Sequence, residues 1–134
     1  MNEKRLRKRG IKFYNKFAGK LLGYKLVFQE FLEDENNNVY ANIIPSEKAV
    51  VEGIIYLVDD TVKKLNKYEC VPVDYLKKTK KVLAPKGFID CIVYMGNKDN
   101  LGQIKKPSAD YLQHLLKGEE FLSKGYFEFL RKNL

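Results

Sequence analysis

Carboxylates are the side chains of this 134-residue chain best placed to do chemistry, and Glu69 is the one that stands apart. Its neighbours are Tyr68, Cys70, Val71 and Pro72, whereas most other acids fall in polar loops or on charged helix faces. An acid among apolar neighbours loses solvation, so its pKa rises and it can take and return a proton near neutral pH. The plain alternative is a carboxylate that caps a helix end or points to solvent. Other chemistries have less to stand on. No GxxxxGK(S/T) or GxGxxG run is present to cradle nucleotide phosphates. His114 is the one histidine and reads as an ordinary helix residue beside Leu115, since a metal site needs several partners. Cys70 and Cys91 lack CxxC or metal spacing and a neighbouring base, so they read as small, mostly buried thiols. No cofactor is expected.

Composition narrows the class. The hydrophobic fraction is 45%, with nine Tyr and eight Phe, which is too apolar for a disordered chain. The length suits one domain spanning residues 1–134. No apolar run is longer than that of Ile54-Ile55-Tyr56-Leu57-Val58, so no membrane-spanning helix is expected, and no apolar stretch follows the basic start to make a secretory signal. Two unpaired cysteines then point to a reduced, cytoplasmic protein.

The net charge of +8 is concentrated at one end. Residues 1–25 hold nine bases, from Lys4 to Lys25, against the single acid Glu3, while residues 26–134 balance. A basic segment on a neutral body raises the question of nucleic acid or an anionic surface. A solvated helix face explains it as well. Aromatics are few within the segment (Phe13, Tyr14 and Phe17), so base stacking has little support and nucleic acid is not the favoured partner.

The elements that must position these groups follow from pattern. Residues 2–9 read as a short surface helix stopped at Gly10, a residue that accepts positive φ. Gly23 to Phe31, Val39 to Ile44 and Val50 to Val58 read as strands. The polar run Glu33 to Asn38 makes a loop between the first two, and Pro45-Ser46 closes the second. The third strand is apolar on both faces and is expected to be central. Asp59-Asp60 opens a short helix fading near Tyr68. Tyr75 to Ala84, rich in lysine, suits an exposed edge, and Phe88 to Met95 a buried strand. Pro107-Ser108 opens a helix with Tyr111, Leu112, Leu115 and Leu116 on its apolar face, and a last amphipathic turn follows Gly125. The result is an α+β chain with a mixed or antiparallel sheet, expected to curl into a small β-barrel with peripheral helices.

Leu65-Asn66-Lys67-Tyr68-Glu69-Cys70-Val71-Pro72 resembles the L-D-x-x-E-G-V motif of the gamma-glutamylcyclotransferase-like family, which includes avirulence-induced plant proteins and gamma-glutamylamine cyclotransferases. The segments Arg5 to Gly10, Gly23 to Phe28, Ala41 to Ser46, Val51 to Tyr56 and Pro107 to Leu112 are similar to the family's early helix, strands and carboxyl-terminal helix, in the same order. The resemblance implies a barrel with a pocket for a gamma-glutamyl group. It also implies intramolecular aminolysis, in which the substrate's α-amine attacks its own γ-carbonyl and releases 5-oxoproline. Glu69 matches the family's general acid/base, and Tyr75 and Tyr94 fall where the family places aromatic substrate-binding residues; strand-core tyrosines are the alternative for both. The implied partner is a small gamma-glutamyl molecule, with a homodimer as a possible assembly.

Two departures stand out. Family members open with a strand running into Tyr-Gly-Ser-Asn, and Met1-Asn2 aligns with the end of that motif, so the strand and its loop are expected to be missing. Cys70 stands where the motif has glycine, which strains the backbone if the position needs positive φ. Alternative readings are a catalytically silent relative that binds a small ligand or a protein, and a nucleic-acid binder using the basic segment.

Overall fold

The computed structural model describes residues 2–132. Its first element is α1 (Glu3–Lys8), which stops where the sequence says it should: Gly10 takes φ 78°. The Gly10 N–H reaches the Arg7 carbonyl at 3.0 Å and the Ile11 N–H the Leu6 carbonyl at 3.1 Å, closing the helix end. Two very long strands follow, β1 (Phe13–Phe31) and β2 (Val39–Val58), paired antiparallel as one hairpin. The loop between them has Asn37 at φ 53°, a conformation asparagine tolerates.

After β2 comes a tight helical turn, Asp60–Lys63, running into α2 (Lys64–Tyr68). The side chain of Asp59 caps this pair by accepting from the Thr61 N–H at 2.8 Å. The second hairpin is β3 (Tyr75–Ala84) and β4 (Gly87–Gly96), and β5 (Leu101–Ile104) adds to β1. The chain ends in α3 (Ala109–Leu116) and α4 (Lys124–Arg131), each capped by a serine oxygen, Ser108 and Ser123, accepting an N–H at 3.2 Å. Leu112 and Leu130, one on each helix, are fully buried. The fold is α+β, and the paired strands are all antiparallel.

Several expectations need correction. The first strand begins at Phe13 rather than Gly23, because Gly19 and Leu21 are buried while Lys20 and Leu22 are exposed. That is the alternation of a half-buried strand, carried by a segment whose lysines gave it the look of a charged surface. The two strands expected over 39–44 and 50–58 are one element. The break expected at Pro45-Ser46 survives as a register jump, from Leu22↔Val50 to Tyr24↔Pro45, around Gly23 at φ 81°. Residues 50–58 lie in β2 at an end of the sheet, whose order is β2-β1-β3-β4, and the lysine-rich β3 is internal.

Nor is the sheet closed into a barrel. β1 and β3 share a single register pair, Lys20↔Leu83, so the two hairpins diverge, and no ladder joins β2 to β4 among the described residues. An apolar groove of about 440 Å³ lies there, lined by Leu21, Ile54, Ile55, Val82, Ile89 and Val93. The core cluster of Leu21, Ile55 and Val82 forms its floor, with Phe17, Tyr24 and Ile43 packed alongside. Residues 13–25 of the basic segment are built into β1, and Glu3 holds two of the segment's cations, Arg7 at 2.9 Å and Lys16. No helix is long and apolar enough to cross a membrane.

Candidate active site

The ends of α1 and α2 meet, and the meeting point is built by two matching helix stops. α2 closes as α1 does: the Cys70 N–H reaches the Lys67 carbonyl at 3.2 Å and the Val71 N–H the Asn66 carbonyl at 3.0 Å. This closure forces the residue after the cap into the left-handed region, which is free for glycine and costly for a side chain. Gly10 fills that place after α1; Cys70 fills it after α2, at φ 48°. The cap residues themselves, Arg9 and Glu69, then face each other with Nη1 to Oε1 at 3.7 Å.

Glu69 lines an open cavity of about 870 Å³ bordered by α1, α2, α3, β2, the 32–38 loop and the start of β3. Its side chain is 26% exposed. Burial pushes its pKa above the ordinary carboxylate value of 4.5, opposed by the Arg9 and Arg5 guanidiniums. The side chain of Arg9 is 19% exposed, and its guanidinium lies over the Tyr68 ring at 4.8 Å. Arg5, one turn earlier on α1, lines the same cavity.

The far wall is aromatic. Phe31 packs on Tyr75 at 5.0 Å and on Tyr40 at 5.8 Å between ring centroids, and Tyr40 packs on Tyr111 at 5.8 Å. One residue of β2 fixes two of these rings: the Ala41 N–H donates to the Tyr111 hydroxyl at 2.9 Å, and the Tyr75 hydroxyl donates to the Ala41 carbonyl at 2.7 Å. Burial drives the phenol of Tyr75 far above its usual range and raises that of Tyr111 too. Both rings therefore shape the wall as neutral groups. The buried Asn100 amide donates to Asp74 at 2.8 Å, and its side-chain carbonyl oxygen accepts the Glu33 N–H at 3.1 Å, tying the 32–38 loop to the turn after α2.

Of the residues singled out from the sequence, Glu69 and Tyr75 line this one cavity. Tyr94 is not among the lining residues: it borders the adjoining apolar groove, which shares Leu6, Ile54, Tyr56 and Leu65 with the cavity, and its hydroxyl donates to Asn66 on α2 at 2.7 Å. That bond ties Tyr94 to α2, whose end carries Glu69. His114 lines the cavity edge, its Nδ1 2.9 Å from the Asn2 amide, and burial lowers its pKa. Arg5, Arg9, Tyr40 and Tyr111 were not marked as site residues by sequence. Arg5 and Arg9 share a helix face by their spacing, but eight-residue charge runs look alike whether they solvate a surface or line a pocket. Tyr111 looked like one more apolar position of α3.

The family model described as "Gamma-glutamyl cyclotransferase, AIG2-like" matches residues 2–113. The chain belongs to this family. Its fold is shared with a solved protein described as gamma-glutamyl cyclotransferase, at TM-score 0.80 and 22% identity, over 97% of this chain and 80% of that one. It is also similar to an uncharacterized protein from Homo sapiens, at TM-score 0.77 and 24% identity, over 95% and 77% of the two chains. A third likeness is YkqA from Bacillus subtilis, at TM-score 0.79 and 22% identity, over 98% of this chain and 49% of that one. At such identities the likeness is one of fold. No curated protein sequence matches the chain. What the cyclotransferase-like fold does here is place Glu69, two guanidiniums and an aromatic wall around a single hollow.

Proposed function

We propose that this member of the gamma-glutamyl cyclotransferase-like family is an enzyme that closes the gamma-glutamyl group of a small amine or amino acid into 5-oxoproline, with Glu69 as general acid and base. One observation carries the reading: a carboxylate mostly withdrawn from water is turned into a cavity large enough for a dipeptide-sized molecule. Glu69 takes a proton from the substrate's α-ammonium, and the freed nitrogen attacks the γ-carbonyl carbon, forming the ring C–N bond. The bond from that carbon to the outgoing nitrogen then breaks, and Glu69 returns the proton to the departing amine. Attack is intramolecular, so holding the substrate folded supplies much of the rate. The wall of Phe31, Tyr40, Tyr75 and Tyr111 provides the surface against which it would fold. The reaction calls for no cofactor.

The test is direct: supply gamma-glutamyl amino acids and gamma-glutamylamines and measure 5-oxoproline. Turnover by the wild type that survives Glu69→Gln refutes the assigned role. A second reading, a catalytically silent relative that uses the same cavity to bind a ligand, is favoured by the strained backbone of Cys70 immediately beside Glu69. Ligand binding with no turnover by the wild type selects it.

A further inference from the structure

Two guanidiniums in the cavity have work the fold does not give them. Arg5 and Arg9 stand one helical turn apart on the face of α1 that lines the hollow, and both are partly buried. Neither donates a side-chain hydrogen bond among the described residues. The 3.7 Å separation of Arg9 from Glu69 is an ion pair but lies beyond the roughly 3.2 Å of an N–H···O bond. Their neighbour Arg7 differs, for it points away and bonds Glu3 at 2.9 Å. A guanidinium presents a rigid fork of donors that suits a carboxylate held by two parallel bonds. Of the other acids in the cavity, Asp34 accepts from the Tyr40 hydroxyl at 2.9 Å, Asp74 is bound to Asn100, and Glu33 is exposed. Of these acids, only Glu69 is ion-paired with one of the two cations among the described residues.

We infer that Arg5 and Arg9 form a clamp for the α-carboxylate of the gamma-glutamyl group, which makes a free α-carboxylate a requirement of the substrate. The inference rests on the proposed reaction for the identity of the ligand. Its geometry follows from the chemistry of an α-amino acid, in which the carboxylate is attached to the carbon that bears the amine. An amine hydrogen-bonded to Glu69 therefore holds its carboxylate within a few ångströms, about the distance that separates Glu69 from Arg9. The stack of Arg9 on Tyr68 fixes one fork in advance, and Arg5 supplies a charge that Glu69 does not consume. Arg5 and Arg9 are positioning residues: they set where the amine lies relative to Glu69 and take no proton.

The test uses two small rings that differ only in the carboxylate, 5-oxoproline and 2-pyrrolidinone, titrated into the full-length chain by NMR chemical-shift perturbation. The wild type should bind 5-oxoproline at least about tenfold more tightly than 2-pyrrolidinone. Arg5→Gln and Arg9→Gln should each remove most of that preference and leave 2-pyrrolidinone binding unchanged, and Arg9→Lys, which keeps the charge without the fork, should fall between. Arg5 makes no ion pair among the described residues, so Arg5→Gln retains the fold, and the dispersion of its spectrum reports this. Equal affinity for the two rings, no binding of 5-oxoproline, or a preference untouched in both glutamine variants overturns the inference. The two proposals fail separately. An arginine-dependent preference without turnover of any gamma-glutamyl compound leaves the clamp standing and removes the reaction. Turnover with an unchanged KM in Arg5→Gln and Arg9→Gln keeps the reaction and removes the clamp.

Discussion

Replacing Cys70 with glycine should make the protein more stable, although the substitution deletes a side chain. The residue holds φ 48° because the closure of α2 demands a left-handed turn there. A non-glycine residue in that region costs about 1–2 kcal/mol. Glycine restores about 0.5–1 kcal/mol of that cost by adding freedom to the unfolded chain. Cys70 is exposed, so deleting its thiol forfeits little burial, though it does remove a weak contact with Asp74. The balance is a gain of about 0.5–1 kcal/mol. With an unfolding entropy of about 2.1 cal/mol/K per residue, a chain of 134 residues should melt roughly 2–4 °C higher. Differential scanning calorimetry of the wild type, Cys70→Gly and Cys70→Ala under reducing conditions measures it. Alanine keeps the Cβ and loses the thiol, so it should melt no higher than the wild type. If alanine rises with glycine, the thiol and not the backbone was the cause. If glycine melts at or below the wild type, the strain argument is wrong.

Glu69→Gln should lower 5-oxoproline release by about a hundredfold or more, the range for losing a general acid/base, as measured by product formation under saturating substrate. The same variant should become more stable than the wild type as pH rises. Burial raises the folded pKa of Glu69 above 4.5, so the wild type is favoured below the ordinary value and loses that advantage as pH rises through the folded value. Melting temperatures of the two proteins should then coincide at acid pH and separate above it, glutamine being the higher. The acid limb of kcat/KM should lie above the usual carboxylate range, and Arg9→Gln should move it higher still by removing an opposing cation; a limb that stays put shows that Arg9 does not act on Glu69. Leu112→Ala should cost about 2–5 kcal/mol in chemical denaturation, because the side chain is fully buried. Ser108→Ala should cost about 1 kcal/mol by removing the α3 cap, read by the same denaturation.

Local rules were legible wherever a residue acts on its own neighbours. Gly10 stops α1, Asp59 and Ser108 cap the helices, Asn37 turns the loop, and the period of the 75–84 and 88–95 segments marks strands. Glu69 was legible because its apolar neighbours lie beside it in the chain. Pairing was not. The single hairpin of β1 and β2 has residues 46–49 standing out of register opposite Gly23, and from one strand alone that bulge looks like the end of an element. β5, four residues long, is a strand only because β1 offers it an edge.

From the order of its residues alone, the chain determined the helices and where they stop, most of the extended segments though not their bounds, and that one acid sits among apolar neighbours. It could not determine what those ends face. Tertiary structure decided that the α1 and α2 termini meet, that Arg9 lies 3.7 Å from Glu69, that Tyr75 shares the cavity while Tyr94 borders the adjoining groove, and that the sheet stays open. The physical reason is range: capping, turn geometry and burial pattern act across a few residues, whereas an ion pair between positions 9 and 69 exists only once two helices separated by a long hairpin have packed.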